Sequence, residues 1–159
     1  MAIKTRSFLK NSNSDFNNIL DSQKLLIHDT SSPTGTTTQL TLADSGKVIF
    51  MDASSANTIT LPAVATAGAG WNAKFILTVT GDAGVVQTSG LEDKITGYVE
   101  ESAANGNNHT LTADTDADTI TFVNGAVPGD FIEINCNGSL FFVFGKSAAE
   151  GKITLTKED

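Results

Sequence analysis

The sequence predicts an all-β fold: an antiparallel β-sandwich, with a jelly roll among its possible layouts, carrying an extended or partly helical N-terminal arm. Three observations predict it. From Gln39 onward apolar and polar residues alternate with period two, the repeat of a half-buried strand. The alternating segments are rich in Val, Ile, Thr and Phe, residues that fit a pleated surface. Gly, Asn, Asp and Ser separate them at intervals of roughly 8–12 residues, the rhythm of a sandwich or barrel rather than of a βαβ fold.

Residues 1–37 read as an arm and linker, and residues 38–159 as the β-sandwich domain. KNSNSDFNN is polar and Asn/Ser-rich, and TSSPTGTTT is a linker by composition, punctuated by Pro33 and Gly35. Between them, Phe16, Ile19, Leu20 and Ile27 can share one helical face, with Ser14 or Asp15 as N-cap. Gln23 interrupts that stripe, and Asn17 and Asn18 are poor helix formers. A short helix and an extended arm added to another subunit's sheet edge both fit. Exposed alone, these apolar residues are costly to solvate, so either a partner or the arm's own domain is expected to cover them.

The strand candidates follow in order: KVIFM, NTITL, NAKFILTVT, KITGYV, HTLT, DTITFV, FIEINC, SLFFVFG and KITLT. In KFILTVT, Phe75, Leu77 and Val79 point one way while Ile76, Thr78 and Thr80 point the other. In FIEINC, Ile132, Ile134 and Cys136 oppose Phe131, Glu133 and Asn135. SLFFVFG is apolar on both faces, Leu140, Phe142 and Phe144 against Phe141 and Val143, which places that strand centrally or at a subunit contact. Asn137-Gly138 predicts a type I′ hairpin between the last two of these runs, because Asn and Gly tolerate positive φ. Asp44-Ser45-Gly46 and Asn124-Gly125 suggest similar turns, and Pro62 and Pro128 sit at strand ends, where a missing N–H does no harm. NTITLPAV and DTITFVNGAVPG echo one another, but so degenerate a pattern does not establish a repeat.

Composition bounds the function. The chain has 159 residues and a net charge of −8, unlike the clustered Lys and Arg of a nucleic-acid surface. Residues 1–28 net +2, from Lys4, Arg6, Lys10 and Lys24 against Asp15 and Asp21, and the remainder nets −10, so the two parts are expected to face different neighbours. No apolar run approaches the roughly 20 residues of a spanning helix, and MAIKTRSFLKNSNSDF has no secretory h-region, so no membrane association and cytosolic synthesis are expected. With Cys136 the single cysteine, neither an intramolecular disulfide nor a Cys-based zinc cage can form.

Motifs that would carry chemistry are incomplete. ADSGKV lacks the first Gly and the Ser/Thr of a phosphate loop and precedes a strand rather than a helix. GAG, Gly68 to Gly70, reads as a flexible loop before Trp71. Asp114, Asp116 and Asp118 alternate in TADTDADT; in a loop they can wrap Ca²⁺, and in a strand they would all face solvent. The EF-hand pattern fails, with Thr119 and Gly125 at its sixth and twelfth positions. His28 and His109 have no flanking metal or protease pattern, and no nucleophile elbow marks a serine. Cys136 faces a core. Glu92, Asp93, Glu100 and Glu101 could supply paired carboxylates for glycoside hydrolysis, but Trp71 and Tyr98 are the only Trp and Tyr available to line a sugar cleft. The expectation is a non-enzyme without cofactor or resident metal.

QLTLADSGKVIFMDASSANTITLPAV, followed by WNAKFILTV and GDFIEINCNGSLFFVFG, resembles small β-sandwich virion proteins of tailed bacteriophages: capsid decoration or cement proteins, head-fibre or tail-fibre modules. The resemblance spans Gln39 to Thr156, lies in the order of the segments, and omits the arm. It implies a virion structural role, a homotrimer, and partners among the major capsid protein or other virion subunits. In that setting Phe8, Phe16, Ile19 and Leu20 would anchor the arm by apolar burial, and Lys4, Arg6 and Lys10 would meet acidic shell patches. A host-surface glycan-binding sandwich is the competing expectation.

Overall fold

The computed structural model describes residues 37–103 and 109–157, and within them eleven strands form two packed sheets. The first strands are β1 (Thr37–Gln39), β2 (Lys47–Asp52), β3 (Asn57–Thr60), β4 (Ala69–Val79) and β5 (Gly84–Gln87). Then come β6 (Ile95–Ser102), β7 (His109–Ala117), β8 (Thr119–Phe122), β9 (Phe131–Asn137), β10 (Phe141–Ser147) and β11 (Ile153–Thr156). One short helix, α1 (Val64–Ala67), precedes β4. One sheet has the order β1-β3-β5-β8-β11 and the other β2-β4-β9-β10-β6-β7. No helix among the described residues is long and apolar enough to cross a membrane.

The all-β sandwich is therefore the observed architecture, but it is not wholly antiparallel. Four of the nine strand pairings are parallel: β1 with β3, β3 with β5, β2 with β4, and β6 with β10. The cause is the path of the chain. From β1 to β5 it alternates between the sheets, so each return to a sheet runs in the direction of the previous visit. This winding departs from the antiparallel layout of a jelly roll. Consequently Asp44-Ser45-Gly46 and Asn124-Gly125 carry the chain from one sheet to the other instead of closing hairpins. Asn137-Gly138 does close a hairpin, β9 to β10. Gly138 takes φ of 93° and Asn137 does not take a positive φ, so the type I′ turn, which needs two such residues, is not formed. Asn137 Oδ1 instead accepts the Ser139 and Leu140 N–H groups, each at 2.8 Å.

Alternation places the core. Ile59, Val86, Ile120 and Leu155 of the five-stranded sheet face Ile49, Phe75, Ile132, Ile134, Phe141 and Val143 of the six-stranded sheet. Each such side chain taken fully from water contributes about 1.5–3 kcal/mol. Cys136 lies in this core, as its alternation predicts. Trp71 is buried at the end of β4, edge-on to Phe141 at 5.8 Å, and its indole N–H donates to the Thr41 carbonyl at 3.2 Å. GAG is not a loop throughout, since Ala69 and Gly70 open β4 beside a register shift. Phe75 and Leu77 point inward as expected, whereas Val79, at the strand end, is exposed. β10, the strand apolar on both faces, is central in its sheet.

Two strands, β1 and β5, escaped the sequence reading. β1 sits in the Thr/Ser-rich linker, and GVVQ sets two valines side by side, so it shows no apolar–polar alternation.

Candidate binding face

The outer surface of the six-stranded sheet is the most distinctive feature of the molecule. Inward-facing Ile134, Cys136, Phe141 and Val143 leave Phe131, Glu133, Asn135, Phe142, Phe144 and Lys146 on the outside of the two central strands. Register then defines rows across the sheet. Val48, Lys74, Glu133, Phe144 and Tyr98 form one row. Phe50, Ile76, Phe131, Lys146 and Glu100 form the next. Asn72, Asn135, Phe142 and Thr96 form a third.

Tyr98 and Phe144 are 44% and 43% exposed and stand edge to face, with centroids 5.4 Å apart and planes at 84°. Lys74 donates to Glu133 Oε1 at 2.8 Å while its ammonium lies 4.1 Å from the Phe131 centroid. That geometry combines an ion pair with a cation–π contact. Lys146 and Glu100 approach to 4.0 Å. The face thus pairs its charges locally on a strongly acidic chain. Between β2, β4 and β9 a depression of about 160 Å³ is lined by Val48, Asn72, Lys74, Glu133 and Asn135. A second depression, about 360 Å³, lies at the far end of β9 against Pro128, Phe131 and Lys146.

The opposite surface differs in kind. Thr37, Thr58, Val85, Thr121 and Thr154 stand in one row of the five-stranded sheet. Gln39, Thr60, Gln87, Thr119 and Thr156 stand in the next, with Thr60 and Thr119 buried, and none of these ten side chains carries a charge.

Of the four carboxylates that looked available for catalysis, Glu101 is occupied in holding the structure, Glu100 and Asp93 pair with lysines at the surface, and Glu92 is exposed in the loop before β6. Glu101 is 1% exposed and accepts from the Thr112 hydroxyl and the Gly151 N–H at 3.0 Å, and from the Lys152 and Ile153 N–H groups at 3.2 Å. It ties β6 of one sheet to the turn that begins β11 of the other. Glu100 lies on the opposite face of β6, so the two adjacent acids form no facing pair. Asp130, 3% exposed, accepts from the Val127 and Ala148 N–H groups and the Ser147 hydroxyl at 2.8–3.0 Å, joining the start of β9 to the end of β10. Asp93 pairs with Lys157 at 2.6 Å.

Asp114, Asp116 and Asp118 do not converge. Register shifts between Ile95 and Gly97 against β7, and this irregularity breaks the alternation that would have aligned the three. Asp118 ends fully buried, accepting from the Thr119 hydroxyl at 2.6 Å. Asp114 accepts from the Asp116 and Thr115 N–H groups at 3.1 and 2.6 Å, and those bonds lower its pKa. Asp116 lies 3.7 Å from Lys157. Among the described residues no three His, Cys, Asp or Glu side chains are grouped to hold a metal ion. Lys47, the lysine of the incomplete phosphate loop, pairs with Asp44 at 2.5 Å in a turn between the sheets. The arm residues Lys4, Arg6, Phe8, Lys10, Phe16, Ile19 and Leu20, with His28, lie outside the described residues.

The double-sided character of β10 is visible in the sequence, whereas Asn72, Lys74, Glu133 and Asn135 become neighbours only through strand pairing. Their signal was present as the outward half of two alternating strands; which strands lie side by side was not. No protein-family model matches the chain, and neither a curated protein nor a solved structure does.

Proposed function

We propose that the protein is a non-enzymatic bacteriophage virion component, a capsid decoration or cement protein whose basic arm grips the head shell while the acidic β body projects from it. The observation that carries this reading is the body's construction. Among the described residues a continuous core runs from Leu40 to Leu155, and the chain enters that body at β1, an edge strand. The charge contrast between residues 1–28 and the rest supports a division of labour, with salt-sensitive attachment through Lys4, Arg6 and Lys10. Partners would be the major capsid protein or other virion subunits, with the chain assembled as a homotrimer and no role in binding nucleic acid or membrane.

The test is co-sedimentation with heads of the phage that encodes the protein, across a salt series. The full chain should bind and weaken with salt, and a Phe16→Asp, Ile19→Asp double variant should not bind. Undiminished occupancy by that variant would rule out the arm as anchor. A second reading, a fibre module or glycan-binding sandwich, is favoured by the aromatic and amide-bearing outer face around Phe144, Tyr98 and Asn135.

A further inference from the structure

We infer that the outer face of the six-stranded sheet holds a saccharide site, centred on Asn72, Asn135 and the Lys74–Glu133 pair and flanked by Phe144 and Tyr98, for one neutral pyranose ring. The inference rests on the second reading above and names its ligand class and residues.

A pyranose has hydroxyls around its rim and an apolar C–H face, so a site for it needs donors and acceptors beside an aromatic surface. The depression between β2, β4 and β9 supplies the first. Asn72 and Asn135 are cross-strand partners, and each amide offers both donors and an acceptor. Asn72 donates to the Gly70 carbonyl at 3.0 Å, which leaves its second N–H and its oxygen, and Asn135 is exposed. Next along the strands, Lys74 and Glu133 are held to each other at 2.8 Å, with donors on one and acceptor lone pairs on the other still turned outward.

Register supplies the aromatic surface. Phe142 is the cross-strand partner of Asn135 and Phe144 that of Glu133. Such neighbours have Cβ atoms about 4.5–5.5 Å apart on the same face. Phe131 already carries the Lys74 ammonium on its ring and Phe142 is half-buried, so Phe144, in edge-to-face contact with Tyr98 and 43% exposed, is the ring open to stacking. A depression of about 160 Å³ is small beside the roughly 300–1,000 Å³ of enclosed ligand pockets, and suits a single ring lying on the sheet. Charge selects a neutral sugar. The chain's net charge of −8 repels anionic sugars, and the charged side chains lining the depression are each paired already, Glu133 with Lys74 and Lys47 with Asp44.

The experiment uses the full chain, labelled with ¹⁵N, titrated separately with glucose, galactose, mannose and N-acetylglucosamine. The expected result is a saturable shift with at least one of them, confined to amides of residues 72–74, 133–135 and 142–144, with dissociation constants on the order of millimolar. Asn135→Ala, at an exposed position, should weaken that binding at least about tenfold. Phe144→Leu, which keeps apolar bulk and removes the ring, should do the same. No saturable shift with any of the four sugars, shifts mapping elsewhere, or unchanged affinity in either variant would overturn the site. Sugar binding retained by the Phe16→Asp, Ile19→Asp variant while head binding is lost, or the reverse pattern in Asn135→Ala, separates this inference from the virion role.

Discussion

Replacing Glu101 tests whether the buried acids of this protein are architecture or chemistry. Four donors converge on its two oxygens, three of them the backbone N–H groups of Gly151 and Lys152 in the turn before β11 and of Ile153 at its start. In Glu101→Ala those donors lose their acceptor inside the protein. Each bond is worth about 1 kcal/mol net, and a buried donor left unmatched costs about 1–3 kcal/mol. Water entering the space offsets part of this, so the expected loss is about 3–5 kcal/mol, at the upper end for single substitutions. Glu101→Gln keeps one acceptor oxygen but sets an NH₂ against a backbone donor, and should lose roughly 2–3 kcal/mol. Urea unfolding at neutral pH reads both, with an unchanged m-value showing that the denatured state is not responsible. At about 4 °C per kcal/mol, the alanine variant should melt about 12–20 °C lower. A Glu101→Ala protein within about 1 kcal/mol of the parent would refute the claim that this carboxylate pins the sheets together.

Two further substitutions probe the frame. A Cβ at Gly97, where φ is 150°, would lie 2.0 Å from the Val143 carbonyl oxygen, so Gly97→Ala should cost more than about 3 kcal/mol or abolish soluble folding. Gly90→Ala has positive φ but nothing within 4 Å, and should cost only about 1–2 kcal/mol; equal losses in urea melts would discount the Val143 contact. Burial alone would raise the Asp44 pKa, but hydrogen bonds from Lys47 and Thr41 outweigh it and hold the group below its ordinary 3.8. A depressed carboxylate stabilises the fold above its unfolded pKa and loses that contribution as pH falls through the folded value. Asp44→Asn should therefore be slightly less stable than the parent at neutral pH, with the gap closing in acid. A gap that widens on acidification would show the sign to be wrong.

What the sequence determined by itself was the local geometry of each strand and its buried side. Alternation is a property of neighbours two residues apart, so Ile132-Ile134-Cys136 and Phe75-Leu77 declared their inward faces without help from the fold. Hairpin closure at Asn137-Gly138 was legible for the same reason, since one turn joins strands already adjacent in the chain. Parallel pairing was not legible. β2 and β4 are neighbours because β3 leaves for the other sheet between them, and Asp44-Ser45-Gly46 serves a crossover as readily as a hairpin. The burial of Glu101 also came only with tertiary structure: in YVEES it looks like its neighbour Glu100, until β11 is brought over it and supplies the donors. The outer face was decided in the same way. Asn135 and Phe144 share the β9–β10 hairpin, but Asn72 and Tyr98 are distant from it in the chain, and only long-range strand order, set by how two layers bury one common core, lines them up with it.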